Sequence, residues 1–258
     1  MRVLVVSDVH ANLAALEEVL ADASAFVWGD QRGFDAIWSL GDIVGYGPYP
    51  NECILRLEAA GPKHVRVAGN HDWAALGKLE IDDFNPEARQ MVLWTQKNLD
   101  PHSLEYLQDL PSIPLARGKF SITHASPRHP IWEYVTSTRI ARENFDFFDT
   151  PYCLVGHTHV PLLFRLAFDA KTRRMGCTGH LPSPDVDISL VGEHRLILNP
   201  GSVGQPRDND PRASYVLLDT EQEIVRYRRI RYDVEMTQAA MRAADLPERL
   251  IARIAYGW

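Results

Sequence analysis

Seven residues carry oxygen and nitrogen donors in a pattern suited to metal chemistry: Asp8 and His10 in Asp8-Val9-His10, Asp42 in Gly41-Asp42, Asn70 in Gly69-Asn70-His71-Asp72, His124, and His157 and His159 in Gly156-His157-Thr158-His159. Residues i and i+2 of an extended chain face the same side, so Asp8 and His10, or His157 and His159, can reach one point. Seven such ligands are too many for one four-coordinate ion. They suit two ions bridged by one carboxylate, with water completing each shell. Ions about 3.5–4 Å apart can clamp a phosphate and generate hydroxide near neutral pH. The mix of carboxylate with imidazole, without thiolate, favours Mn or Fe, with Zn, Co or Ni also accommodated by ligand type. Cys53, Cys153 and Cys177 are an odd count without metal-type spacing, so they indicate neither a disulfide framework nor a zinc-thiolate site.

Each donor follows a segment that reads as a strand. Arg2–Ser7 is a nearly continuous β-branched apolar run, as for a strand buried on both faces. Asp35–Leu40, His64–Ala68, Phe120–Thr123 and Tyr152–Val155 read as further strands. Helices are expected after Asn12, which can cap Leu13, Leu16, Val19 and Leu20 on one stripe, and over 51–60, 86–98 and 102–109. Such alternation points to an α/β sheet with layered helices, whose strand carboxyl ends line a shared crevice. After Val160 the pattern changes to short strands at 162–168, 173–178, 187–191, 195–198, 213–219 and 224–232, a largely antiparallel region. Residues 179–185 read as an exposed loop, and two helices follow, over 234–244 and from Pro247 to near Gly257. No linker is evident, so the chain reads as a single domain, 1–258, with a β-rich insertion at about 166–193.

The chain has 258 residues, 45% hydrophobic and 24% charged, which excludes wholesale disorder, collagen-like repeats and coiled coil. With 27 basic and 34 acidic residues the net charge is −7, the opposite of what a long nucleic-acid partner requires. No run approaches the roughly 18 apolar residues of a membrane span, and Val3–Val6 is too short for a signal-peptide core. A cytoplasmic location is therefore expected, with no membrane partner.

The five motifs, in this order from Asp8 to His159, resemble those of the calcineurin-like metallophosphoesterase family. Asn199-Pro200-Gly201-Ser202-Val203-Gly204 is similar to a stretch of its small bacterial phosphodiesterase branch. Gly41–Pro48 and His124–Tyr134 resemble a bacterial subgroup that includes asymmetric diadenosine-tetraphosphate hydrolases. The resemblance implies a four-layer α/β (α+β) fold, a β-sandwich flanked by helices. It implies that Asp8, His10 and His159 hold one metal and Asn70, His124 and His157 the second, with Asp42 bridging. His71 would bind no metal; it would act as general acid, protonating the leaving oxygen as a metal-bridging hydroxide attacks phosphorus. Protein phosphatases of this superfamily carry Gly-Asp-x-Val-Asp-Arg-Gly, whereas Gly45 and Tyr46 stand at the acidic and arginine positions here. Protein-phosphatase activity is therefore not expected, and what orients His71 is open. Asp72 reads as a helix N-terminal acid.

Arg128, Arg207 and Arg212 sit in loops and could clamp phosphate through their forked donors, and Tyr46 could line a pocket. The expected activity is two-metal hydrolysis of a small phosphodiester or nucleotide phosphoanhydride, a dinucleoside polyphosphate among the candidates. The alternatives are a non-catalytic metal-binding scaffold for protein interaction, a role that the retromer subunit of this superfamily illustrates, and a nuclease. Retention of all seven donors and His71 speaks against the scaffold, since unpaired buried carboxylates are costly; the acidic charge disfavours the nuclease. Oligomeric state is not encoded in any motif.

Overall fold

The computed structural model describes residues 1–61 and 63–258. Its strands are β1 (Arg2–Val6), β2 (Val27–Trp28), β3 (Gln31–Arg32), β4 (Ala36–Ser39), β5 (His64–Arg66), β6 (Leu115–Arg117), β7 (Phe120–Ile122), β8 (Tyr152–Leu154), β9 (Pro161–Asp169), β10 (Arg174–His180), β11 (Asp187–Ser189), β12 (His194–Pro200), β13 (Ala213–Asp219) and β14 (Ile224–Ile230). The helices are α1 (Leu13–Ala25), α2 (Pro50–Ala59), α3 (Asn70–Ala75), α4 (Pro86–Asn98), α5 (Pro101–Gln108), α6 (Thr138–Asn144), α7 (Val234–Ala243) and α8 (Glu248–Arg253).

Two six-stranded sheets, ordered β11-β14-β13-β1-β4-β5 and β10-β9-β12-β8-β7-β6, stack face to face. Alternation along each strand divides its side chains between two cores. Val3 and Val5 of β1 and Trp38 of β4 meet Phe120, Tyr152, Leu154 and Leu198 of the other sheet in the sandwich interior. Leu4 and Val6 point the other way, against Leu16, Val19 and Leu20 of α1 and Leu57 of α2. On the outer face of the second sheet, Cys153, Phe164 and Ile197 pack on Ala141 of α6 and on Phe145. The layers are thus helix, sheet, sheet, helix, as the resemblance implies.

Capping sets the helix starts. Asn12 accepts from the Ala15 N–H at 3.2 Å, Asn85 from Ala88 at 2.9 Å and Asp100 from Ser103 at 2.7 Å. The strand-rich second half is largely antiparallel, as expected. Its strands divide between both sheets, and β12 runs parallel to β8. Residues 166–193 supply the edges, β10 on one sheet and β11 on the other. Gly179 and His180 extend β10 by pairing with Phe164 and Leu163, so the exposed loop begins two residues later than the prolines suggest. The β2–β3 ribbon, β6, α3 and α6 are too short for periodicity to announce them.

The parallel pairs β1–β4–β5 and β7–β8–β12 direct their carboxyl ends to one edge of the sandwich. Every donor-bearing loop leaves from that edge.

Candidate metal centre

The loops after β1 and β4 are zipped together: the N–H groups of Asp8, His10 and Ala11 donate to the carbonyls of Gly41, Asp42 and Ile43 at 3.0, 3.0 and 2.9 Å. The Asn199–Gly204 stretch clamps two further loops. Asn199 Nδ2 donates to Gly156 O at 2.7 Å and Thr158 Oγ1 at 2.9 Å, while Ser202 Oγ and Gly204 N both donate to Asp8 O, at 2.8 and 3.0 Å. Gly204 must be glycine, because a β-carbon there would lie 1.8 Å from Val9 O. Asp8, His10, Asp42, His157 and His159 all have φ between 47° and 64°, a left-handed backbone that is costly for such residues. Strain of this kind persists only where the surroundings over-determine it, and it concentrates at functional sites.

The donor atoms converge. His10, His124 and His159 each donate Nδ1–H to a backbone carbonyl, of Val44 (3.1 Å), Leu40 (2.8 Å) and Gln205 (2.6 Å). His157 donates Nε2–H to Trp132 O at 3.3 Å. These bonds fix each tautomer with its lone pair turned inward, as second partners of metal-binding imidazoles do. The lone pairs then face one another: His10 Nε2 lies 3.1 Å from His159 Nε2, and His124 Nε2 lies 3.2 Å from His157 Nδ1 and 3.2 Å from Asn70 Oδ1.

Each carboxylate is engaged through one oxygen only. Asp8 Oδ2 accepts from Ser7 Oγ at 2.6 Å and His157 N at 3.1 Å, and Asp42 Oδ1 accepts from His71 N at 2.8 Å. Asp8 Oδ1 and Asp42 Oδ2 are buried without a hydrogen-bond donor. Asp8 Oδ1 is 3.3 Å from His159 Nε2; Asp42 Oδ2 is 3.6 Å from His10 Nε2 and 3.5 Å from His124 Nε2. Among the described residues, two groups have donors within 4.8 Å of one another, Asp8-His10-Asp42-His159 and Asp42-His124-His157, with Asp42 in both.

Burial holds His10, His157 and His159 well below the usual imidazole range, so these rings are neutral and their lone pairs free. Burial also pushes Asp8 up to about 7 and raises Asp42, which adjoins Asp72. The desolvation that disfavours these carboxylates as bare anions is offset once cations neutralise them.

His71, the second residue of α3, joins neither group. Its ring centroid is 4.4 Å from Tyr46 and 5.5 Å from Phe84, and its Nδ1 has no hydrogen-bond partner. Burial, then Arg207 and His124, hold it down at about 3. Asp72 does not reach the His71 ring. Its carboxylate accepts from four backbone N–H groups, those of Asp42 (2.8 Å), Ile43 (2.9 Å), Val44 (3.2 Å) and Gly69 (2.9 Å), and so ties the loops after β4 and β5 together.

A cavity of about 140 Å³ opens onto the donors and is walled by Tyr46, His71, Phe84, Trp132, Tyr134 and Arg207. The guanidinium of Arg207 lies 5.8 Å from the Tyr46 ring centroid, and its backbone N–H donates to His159 O at 3.2 Å. Arg128 and Arg212 are placed elsewhere, contrary to expectation. Arg128 is taken by Glu133 and Glu143, and Arg212 by Asp210 beside a separate cavity. Loop position alone could not distinguish an arginine with an acidic neighbour in space from one without. The sequence reading also missed Tyr134, which stacks on His157 with centroids 4.0 Å apart, and Phe84, which meets His71 edge-on.

Residues 1–223 match the calcineurin-like phosphoesterase superfamily domain. The chain belongs to this superfamily. It is similar to a metallophosphoesterase from Sphaerobacter thermophilus, with 48% identity, coverage of 100% of this chain and 99% of that one, and a TM-score of 0.85. An uncharacterized protein of Methanocaldococcus jannaschii is 35% identical over 99% of this chain and 98% of its own. A symmetrical bis(5'-nucleosyl)-tetraphosphatase of Glaesserella parasuis is 26% identical over 55% of this chain and 51% of its own. Superfamily membership and the buried His/Asp cluster together indicate a hydrolase that binds divalent metal. No helix among the described residues is long and apolar enough to cross a membrane.

Proposed function

We propose that this phosphoesterase uses two metal ions to hydrolyse small phosphodiesters or nucleotide phosphoanhydrides. The observation that carries the reading is the inward convergence of four imidazole lone pairs and two bare carboxylate oxygens, an arrangement that repels itself unless cations fill it. Asp8, His10 and His159 would hold one ion and Asn70, His124 and His157 the other, with Asp42 shared. Mn or Fe suits this donor set best, with Zn, Co or Ni also accommodated. Bound there, the ions would polarise a phosphoryl oxygen and make water nucleophilic at neutral pH.

His71 would deliver a proton to the leaving oxygen. The ring is neutral in the free site, and a phosphate entering the cavity adds negative charge that favours its protonated form. Arg207 and Tyr46 would orient the phosphoryl group. A cavity of about 140 Å³ suits a phosphoryl group more than a folded protein segment. Gly45 and Tyr46, standing where protein phosphatases carry an acid and an arginine, argue in the same direction. A net charge of −7 gives a long polyanion no track to follow. The tetraphosphatase relative supports an anhydride among the substrates, over the half of the chain that it matches.

The test is metal analysis of the purified protein, then chelation, reloading, and hydrolysis of bis-p-nitrophenyl phosphate, p-nitrophenyl phosphate, diadenosine tetraphosphate, a phosphopeptide and single-stranded DNA. Two equivalents of metal and highest kcat/KM on a diester or the dinucleotide are expected. His71→Ala should keep both ions and lose roughly 10²–10⁴ in turnover, less where the leaving group needs little protonation. A protein loaded with two equivalents of metal that hydrolyses none of these compounds would refute the reading.

A further inference from the structure

We infer that Arg253 and Trp258, near the C-terminal end of the chain, build with Arg207 a second substrate subsite, one that takes a further phosphate and the planar group attached to it. This rests on the phosphoesterase reading and extends it to residues beyond 223, outside the matched superfamily domain. Leu250, Ile251 and Ile254 pack with Tyr46 of the site and with Ala88 and Met91 of α4. The turn after α8 is fixed to the loop that carries Arg207. Asn209 N donates to Gly257 O at 2.9 Å, and at Gly257 (φ +69°) a β-carbon would stand 2.6 Å from Asp210 N.

A cavity of about 500 Å³ lies beside the metal-facing one and is lined by Asn85, Pro86, Leu250, Arg253 and Trp258. Asn85 lines both, so the two share a wall. Arg207 lines the metal-facing cavity, its Nη2 donating to Gln205 Oε1 at 2.9 Å and its Nε buried without a partner, and Arg253 lines the second cavity, its Nε donating to Trp258 O at 2.5 Å. Glu87 and Arg249 also line this cavity and pair with each other at 3.3 Å. Arg253 is half-buried, and burial first, then Arg207, lowers its pKa. The guanidinium donors of Arg207 and Arg253 that these bonds leave unused match the oxygens of a phosphate. Trp258 is 58% exposed and stacks one face on Tyr256 at 4.6 Å, a ready surface for a nucleobase. The chemistry fits a nucleoside di- or polyphosphate whose reacting phosphate lies at the metals.

ADP is the probe. Its Kd for the metal-loaded protein, measured by calorimetry, should rise about tenfold in Arg253→Gln, or about 1.4 kcal/mol. In Trp258→Ala, which removes an exposed side chain and threatens no core packing, the Kd should also rise. In the same variants the ratio of kcat/KM for diadenosine tetraphosphate to that for bis-p-nitrophenyl phosphate should fall about tenfold. Arg139→Gln, on the exposed face of α6, should change neither quantity. An ADP affinity unmoved by both variants, or equal losses on both substrates, overturns the inference. Absence of all turnover with ADP affinity still dependent on Arg253 and Trp258 would instead overturn the phosphoesterase reading alone.

Discussion

Gly45 lies against the Nδ1 edge of His71, so close that a β-carbon at position 45 would stand 2.7 Å from that nitrogen. The contact explains why this ring nitrogen has no hydrogen-bond partner: the residue facing it has no side chain. His71 is held instead by aromatic packing, between Tyr46 and Phe84. Gly45 also has φ +89°, which an L-residue adopts at a cost of roughly 1–2 kcal/mol. Gly45→Ala should therefore displace the His71 ring and lower turnover by about 10²-fold, the scale of a 1 Å misplacement. Metal content should stay at wild-type stoichiometry. Wild-type kcat in the folded variant would show that the ring's position is set elsewhere.

Asp42 is common to both donor groups, whereas Asp8 belongs to one. Asp42→Ala should abolish tight binding of both ions, and Asp8→Ala should chiefly weaken one. Elemental analysis after exhaustive dialysis reads the stoichiometry directly. Two tightly held ions in the Asp42→Ala protein would remove the bridging role.

The donor residues were legible because each follows a strand, and strand ends of a parallel sheet share an edge. The i, i+2 argument held only in part: Asp8 and His10 share a donor group, though through left-handed rather than extended backbone, whereas His157 and His159 fall in different groups. Asp72 was not legible as a clamp, because its four partners sit at Gly69 and at the distant Asp42, Ile43 and Val44. The arginines show the same limit. Arg128 and Arg207 look alike in sequence, yet only Arg128 meets an acid, through the packing of the 126–133 loop on α6. The division of β9–β14 between two sheets was likewise hidden. Strand pattern reveals which face is buried but not which strand lies alongside, and β12 crosses over to pair in parallel with β8.

Asp72→Asn tests the clamp. An amide has one acceptor oxygen and brings an NH₂ into a place where only donors point, so two of the four N–H groups lose their partner. A buried hydrogen bond to a charged group contributes about 1.5–3 kcal/mol. Denaturant unfolding of the metal-free protein should show a loss of about 3 kcal/mol or more. Metal affinity should fall with it, since Asp42 and Val44, which orient a carboxylate and His10, both lie on the clamped loop. Unchanged stability would mean that the loop is held without Asp72.

Glu133 gives a pH prediction at the loop that carries Trp132 and Tyr134. Partial burial pushes its carboxyl up, but hydrogen bonds from Arg128, Asn144 and Ser126 outweigh this and hold it at about 2. An unfolded chain has glutamate near 4.3. Because the folded pKa is depressed, the stabilisation is complete above about pH 4.3 and is lost as pH falls towards 2. Urea unfolding at pH 6 should therefore find the wild type more stable than Glu133→Gln, and the gap should narrow steadily between pH 4.5 and 2.5. Arg128→Gln should narrow in the same way, because it removes the partner of the same carboxylate. If the gap is constant across this range, the difference comes from packing, and the Arg128–Glu133 pair does not titrate with folding.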